Sequence, residues 1–241
     1  AGYGYSHVRT ISKPVVSVFS TGSELARAGE RLEPGKIWDA NGALIQGLIE
    51  DFGAKCVQLG AVRDSRAELK KRMLRAFKLA DAVVVSGGVS VGEADFVQSV
   101  LRELGAKIHL WKVSMKPGKP LLFGTWRGKP FFGLPGNPVS AFVTFNLFVK
   151  PALAKMAGRN VNSKLQTEPA RLESALEMSN NRRTFLRGIY FRKPDGTAKV
   201  KILSGQGSHQ LRTLSQSNCL VSIPAGRVHY PKNKQLPIIL I

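Results

Sequence analysis

Apolar positions between residues 15 and 160 follow two rhythms in turn. Short apolar, β-branched runs (Val15 to Phe19, Lys55 to Gly60, Ala82 to Ser86) read as strands, and they alternate with segments whose apolar residues recur at three and four. The first helical segment opens at Asp39-Ala40-Asn41-Gly42, carries Leu44, Ile45, Leu48, Ile49 and Phe52 on one stripe, and stops at Gly53. An Asp at the cap accepts an orphan N–H, and a glycine takes the left-handed backbone that ends the helix. Asp64-Ser65 opens the second, with Leu69, Met73 and Phe77 on one face and Lys70, Lys71, Arg72 and Arg75 mostly on the other; Phe96 to Leu104 is the third, closed by Gly105. Strands alternating with helices across short polar junctions predict an α/β unit: a three-layer, mostly parallel sheet with helices on its faces. Lys107 to Val113, Leu121 to Gly124 and Phe131 to Leu134 add strands, and Pro138 opens a long helix that Pro151 should kink or split.

From Gly158 the pattern changes. Short alternating runs (Ala170 to Ala175, Thr184 to Phe191, Ala198 to Leu203, Cys219 to Ile223, Leu236 to Ile241) are separated by turns such as Pro194-Asp195-Gly196 and Gly205-Gln206-Gly207. That spacing predicts a small all-β domain, a barrel or sandwich of about five strands. The expected division is an α/β domain over residues 1–160 and a β-barrel domain over 161–241.

The chain has 241 residues and a formal charge of +20, which calls for an anionic partner without naming it. The basic residues are dispersed, and the basic face of the second helix reads as solvated surface rather than a nucleic-acid groove. Two cysteines, Cys56 and Cys219, with no Cys/His spacing argue against a disulfide framework or a zinc site and fit a reducing, cytoplasmic compartment. No apolar run approaches the roughly eighteen residues of a membrane span, so a soluble protein is expected. The opening Ala1-Gly2-Tyr3, without methionine and leading abruptly to Pro14, reads as a fragment or a processed chain.

The densest chemistry lies after the third strand, in Ser86-Gly87-Gly88-Val89-Ser90-Val91-Gly92-Glu93-Ala94-Asp95. Glycines there let the backbone approach an anion, and the N–H groups opening the next helix point at it. Such turns also serve only to pack a helix on a sheet. In parallel sheets, however, ligands sit beyond the carboxyl ends of the strands, and that rule gathers Thr21, Glu24, Asp64, this loop and Asp95 onto one rim. Lys112, Lys116 and Lys119 follow on the next connection. Simpler roles stand beside these: Asp64 and Asp95 as helix caps, Glu24 and Ser217 as turn residues, Pro135 and Pro138 as fixers of a rigid turn. His7, His109, His209 and His229 are scattered and receive no catalytic role.

Ser20-Thr21-Gly22-Ser23-Glu24-Leu25, Arg63-Asp64, the Ser86–Asp95 loop, Lys116-Pro117-Gly118-Lys119-Pro120 and Leu134-Pro135-Gly136-Asn137-Pro138, in this order, closely resemble the molybdopterin molybdenumtransferases: the MoeA proteins, the E domain of gephyrin and its plant counterparts. Gly205-Gln206-Gly207-Ser208 and Ser217-Asn218-Cys219 resemble turns of that family's C-terminal β domain. The resemblance implies a pterin-handling α/β domain, with a fold shared with the MogA adenylyltransferases, followed by a small β-barrel. It implies insertion of molybdate into adenylylated molybdopterin with release of AMP, aided by Mg²⁺. By the same resemblance Glu24, Asp64, Asp95, Lys112 and Lys116 are catalytic, with the three carboxylates holding the metal. Thr21, Gly22, Ser86, Gly87, Gly88, Ser90, Gly92, Lys119, Pro135, Gly136, Asn137, Pro138 and Ser217 bind the ligand. The carboxylates make physical sense as metal ligands, since unneutralised they would repel a phosphorylated pterin.

Ser23 stands where the family often has aspartate. The family's two N-terminal domains, which support a homodimer and contribute to its cleft, have no counterpart here, so the chain is expected to be a C-terminal portion that binds ligand yet turns over little alone. A MogA-like adenylyltransferase is the expected protein partner. Two alternatives come from other classes: a MogA- or CinA-like adenylyl or nucleotide enzyme, against which the motifs after Lys116 argue, and a non-enzymatic scaffold such as gephyrin.

Overall fold

Helix α1 (Ala40–Phe52) lies between the two signals that predict it: Asp39 accepts from Gly42 N at 2.8 Å, and Gly53 turns at φ 89°. It is one of the helices of a computed structural model that describes residues 2–89, 96–160 and 166–241. Around it run β1 (Val15–Thr21), β2 (Lys55–Val62), α2 (Arg66–Leu79), β3 (Ala82–Ser86), α3 (Phe96–Glu103), β4 (Lys107–Trp111), the two-residue β5 (Met115–Lys116), β6 (Leu122–Trp126) and β7 (Lys129–Leu134). The first sheet has the order β2-β1-β3-β7-β6-β4; its first four strands are parallel, and β6 and β4 are antiparallel additions at one edge. Arg127 (φ 48°) and Gly128 (φ 78°) explain that reversal, because two successive left-handed residues make the tight hairpin that returns β6 as β7.

Side chains alternate across the sheet. Val83 and Val85 pack with Phe19, Met73, Phe77 and Leu101 under α2 and α3, whereas Val84 packs with Val16, Val18, Ile45 and Ile49 under α1. Each such buried side chain contributes about 1.5–3 kcal/mol relative to exposure. The long helix divides where proline predicts: α4 (Pro138–Thr144) passes through a wider π turn (Phe145–Val149) into α5 (Lys150–Met156), with Lys150 N reaching Phe145 O. Pro151 has no N–H, and its ring crowds the carbonyl four residues back, so a looser turn ahead of it relieves the conflict.

The strands of the second half are β8 (Glu168–Leu172), β9 (Leu176–Asn180), β10 (Arg183–Arg192), β11 (Ala198–Ile202), β12 (Cys219–Ile223), β13 (Gly226–Tyr230) and β14 (Gln235–Leu240), with α6 (Leu211–Gln216) before β12. The order β11-β8-β14-β12-β10 closes through the β10–β11 pairing into a small barrel around Leu172, Leu186, Val200, Val221 and Ile238. Strands β9 and β13 form a separate ribbon. Strand β5 leaves the first half of the chain and pairs in parallel with β10, Met115 with Arg183 and Lys116 with Thr184. Met115, Val139, Phe142, Phe185, Leu220 and Ile239 form an apolar seam between α4 and the outside of the barrel.

Part of the basic face of α2 is tied down: Arg66 and Lys70 pair with Glu103 at 2.9 and 2.5 Å, and their hydrogen bonds, Lys70 first, hold its carboxyl below the ordinary range. Cys56 and Cys219 are free, and burial pushes both thiols up to about 11, so neither is a thiolate near neutrality. Among the described residues no helix is long and apolar enough to cross a membrane.

Candidate functional site

Beyond the carboxyl ends of β1, β2, β3 and β7 lies a cavity of about 710 Å³. Thr21, Gly22 and Glu24 reach it after β1, Asp64 after β2, Ser86 to Gly88 after β3 and Pro135 to Pro138 after β7, while Asp39 and Asn41 line it from the start of α1. A second cavity of about 750 Å³ adjoins it along the barrel seam and is lined by Lys116, Lys119, Arg182, Met178 and Phe185 among others. Pro120, Ser140 and His209 border both.

The first cavity is closed at its base by loops packed too tightly for side chains. Gly87 stands at φ 85° and donates to Leu134 O at 3.0 Å; a Cβ there would lie 2.5 Å from Thr21 O. At Gly88 (φ 62°) it would lie 2.7 Å from the Thr21 hydroxyl. That hydroxyl is buried without a hydrogen-bond partner among the described residues. Asn41 Nδ2 donates to Ser86 Oγ and Gly136 O, each at 2.7 Å, and its Oδ1 is likewise buried and, among the described residues, unpaired. An unsatisfied buried polar atom costs about 1–3 kcal/mol, so two of them bordering one cavity point to a missing hydrogen-bond partner.

Of the expected carboxylates, Glu24 and Asp64 share this cavity. Asp64 Oδ2 accepts from Ser23 N at 3.1 Å while Ser23 Oγ accepts from Asp64 N at 3.1 Å, so Ser23 locks the two loops together. The Glu24 carboxylate folds back over Gly22 and makes no hydrogen bond or ion pair among the described residues. Asp95, Ser90 and Gly92 lie outside the described residues. Among those described, no three His, Cys, Asp or Glu side chains gather to hold a metal ion. Two carboxylates do suit Mg²⁺, which is commonly held by one or two protein carboxylates together with substrate phosphates.

The second cavity is cationic and, among the described residues, lined by no acidic side chain. Strand β5 places Lys116, the turn after it brings Lys119, and Arg182 donates to Met115 O at 3.4 Å. Lys112 borders neither cavity; its Nζ lies 3.9 Å from the centroid of the Trp111 ring. Ser217 also lies elsewhere, ending α6 with its hydroxyl donated to Leu214 O at 2.8 Å. His209, given no role from sequence, instead reaches both cavities from the loop after β11. Arg187 holds that loop. It is fully buried and donates to Thr213 Oγ1 (2.9 Å), Gly205 O (2.7 Å) and Gly207 O (3.2 Å), and burial lowers its pKa. The loop docks on α4 through Val139 N to Ser208 O (3.2 Å) and Asn137 Nδ2 to Ser208 Oγ (3.1 Å). The turn glycines at 205 and 207 were visible in the sequence, but what the loop faces depends on this long-range docking.

Residues 17–155 match the family described as probable molybdopterin binding domain, and residues 169–241 match the MoeA C-terminal region, domain IV. The molybdopterin molybdenumtransferase of Haemophilus influenzae is 38% identical over 227 residues, which are 94% of this chain and 56% of that protein. The molybdenum cofactor synthesis protein cinnamon of Drosophila melanogaster is 39% identical over 216 residues, 89% of this chain and 36% of that one. The chain thus spans about half or less of these relatives' lengths. Two structures of the molybdopterin biosynthesis MoeA protein of Pyrococcus horikoshii superpose with TM-scores of 0.76 and 0.72 at 33% and 30% identity, covering 95% of this chain and 54% of theirs.

Proposed function

The chain belongs to the molybdopterin-binding domain family, with a MoeA-type C-terminal region behind it, and from that membership we propose that it binds adenylylated molybdopterin and serves the insertion of molybdate into it, with release of AMP. The observation that carries this reading is the adjacency of the two cavities. One offers glycine-lined backbone and, besides Asp39, which caps α1, the carboxylates of Glu24 and Asp64; the other offers Lys116, Lys119 and Arg182 and, among the described residues, no acid. A phosphorylated ligand with its cation suits the first, and an oxyanion such as molybdate suits the second, where cations act as charge-assisted donors. Mg²⁺ would be held by Glu24 and Asp64 and would neutralise phosphate charge as the leaving group departs. Residues 1–160 act as the pterin-binding domain and 161–241 as the barrel that closes the site from one side. The reading extends to a cytoplasmic protein that works as a homodimer in a longer chain and receives its substrate from a MogA-like adenylyltransferase.

Calorimetric titration with AMP and with a phosphorylated pterin tests this directly. Both should bind, and more tightly with Mg²⁺ than with a chelator. Equal affinity in the two buffers removes the metal role of Glu24 and Asp64; no binding of either ligand removes the reading as a whole and leaves a scaffold. Lys116→Ala should weaken binding of molybdate, or of tungstate as its stand-in, by roughly 1–3 kcal/mol with little change in melting temperature. A variant that melts early but binds normally while folded would make Lys116 structural.

A further inference from the structure

Trp38 is about half exposed, at 53%, yet it borders the carboxylate-bearing cavity together with Ile37, which is 56% exposed. The other tryptophans are engaged: Trp126 donates to Leu104 O and lies 4.8 Å from Phe77, and Trp111 carries Lys112 on its ring. Trp38 has no ring, cation or indole hydrogen-bond partner among the described residues. Its backbone is nevertheless fixed. Leu25 and Ala26 pair with Ile37 and Trp38, Ile37 N donates to Glu24 O at 2.9 Å, and Asp39 N donates to Ala26 O at 2.8 Å. The aromatic face is thus held beside the carboxylates by the same turn that carries Glu24.

Three residues on, Asn41 is 7% exposed and borders the same cavity. Gly136 O can only accept, which orients the Asn41 amide with Nδ2 toward it and leaves Oδ1 as a buried acceptor without a donor among the described residues. Phosphate or molybdate, as an unprotonated anion, has no proton to offer that oxygen. A ring N–H or amino group has. Resting on the function proposed above, we propose that Trp38 and Asn41 form the subsite for the ligand's flat nitrogen heterocycle, Trp38 stacking on the ring and Asn41 Oδ1 accepting from its N–H edge. Pterin and adenine share this chemistry.

The test titrates this chain, and its Trp38→Ala and Trp38→Phe variants, with AMP, 6-hydroxymethylpterin and the ringless ribose 5-phosphate. Loss of the indole should weaken the ring-bearing ligand by about tenfold, phenylalanine should restore most of it, and ribose 5-phosphate should be unaffected. Loss confined to AMP assigns the subsite to adenine; loss confined to the pterin assigns it to pterin. In the unmodified chain, purine riboside monophosphate, which lacks the amino group, should bind more weakly than AMP if adenine is the occupant. Unchanged affinity of Trp38→Ala for both ring ligands overturns the subsite while leaving the proposed function standing, as does an equal loss for all three ligands. Failure of the unmodified chain to bind any of them overturns both.

Discussion

Gly87→Val is expected to abolish phosphate-ligand binding and to lower stability by about 3 kcal/mol. At φ 85° a side chain costs about 1–2 kcal/mol through backbone strain alone. The new Cβ would also lie 2.5 Å from the backbone oxygen of Thr21, and that oxygen belongs to a buried central strand that cannot yield as a flexible side chain would. Overpacking of this kind typically adds about 1–3 kcal/mol. Relief requires the loop after β3 to move away from Thr21, which pulls the Gly87 N–H off Leu134 O and opens the base of the first cavity. Urea denaturation and AMP titration read the two consequences separately. Wild-type affinity in a folded Gly87→Val protein would show that this loop does not cradle the ligand.

Arg187→Ala should cost about 3 kcal/mol and weaken binding in both cavities. The guanidinium joins Thr213, Gly205 and Gly207, and its removal takes three hydrogen bonds from the loop, leaves Gly205 O with the Thr213 hydroxyl as its donor, and opens a void. Arg187→Met, which keeps much of the volume and removes a buried charge that has no acidic partner among the described residues, should recover part of the stability but not the placement of Ser208 and His209. Melting temperature together with hydrogen exchange across 205–210 distinguishes the two effects. An Arg187→Ala protein as stable and as protected as wild type would show that the loop holds itself.

Local signals were legible where cause and effect sit within a few residues. Asp39 and Gly53 bound α1 because each bonds backbone one turn away, and Pro151 marks the split helix because its ring acts on the carbonyl four residues back. The ribbon of β9 and β13 was missed: Leu176 faces Tyr230 across the fold, and a half-exposed strand with Glu177 and Ser179 between its apolar residues carries little period of its own. Helix α6 is too short to show one. In the site the same division holds. Thr21, Glu24, Asp64 and the glycine turn end strands of one sheet, so chain order alone placed them together. Arg182, His209 and the spare acceptor of Asn41 became visible only once the barrel loop had docked on α4 and the Asn41 amide had found Gly136.

Strand β5 sets a condition on how such a protein can evolve. Lys116 is encoded in the first half of the chain but holds its position through pairing with Thr184 in the second. A recombination event that exchanged one half for a divergent counterpart would have to preserve that two-residue register and the apolar seam around Met115 together, or the lysine would arrive in the wrong place. The two halves are therefore expected to share one line of descent and to accumulate compensating changes at positions 115–116 and 183–185, far apart in the gene and adjacent in the protein.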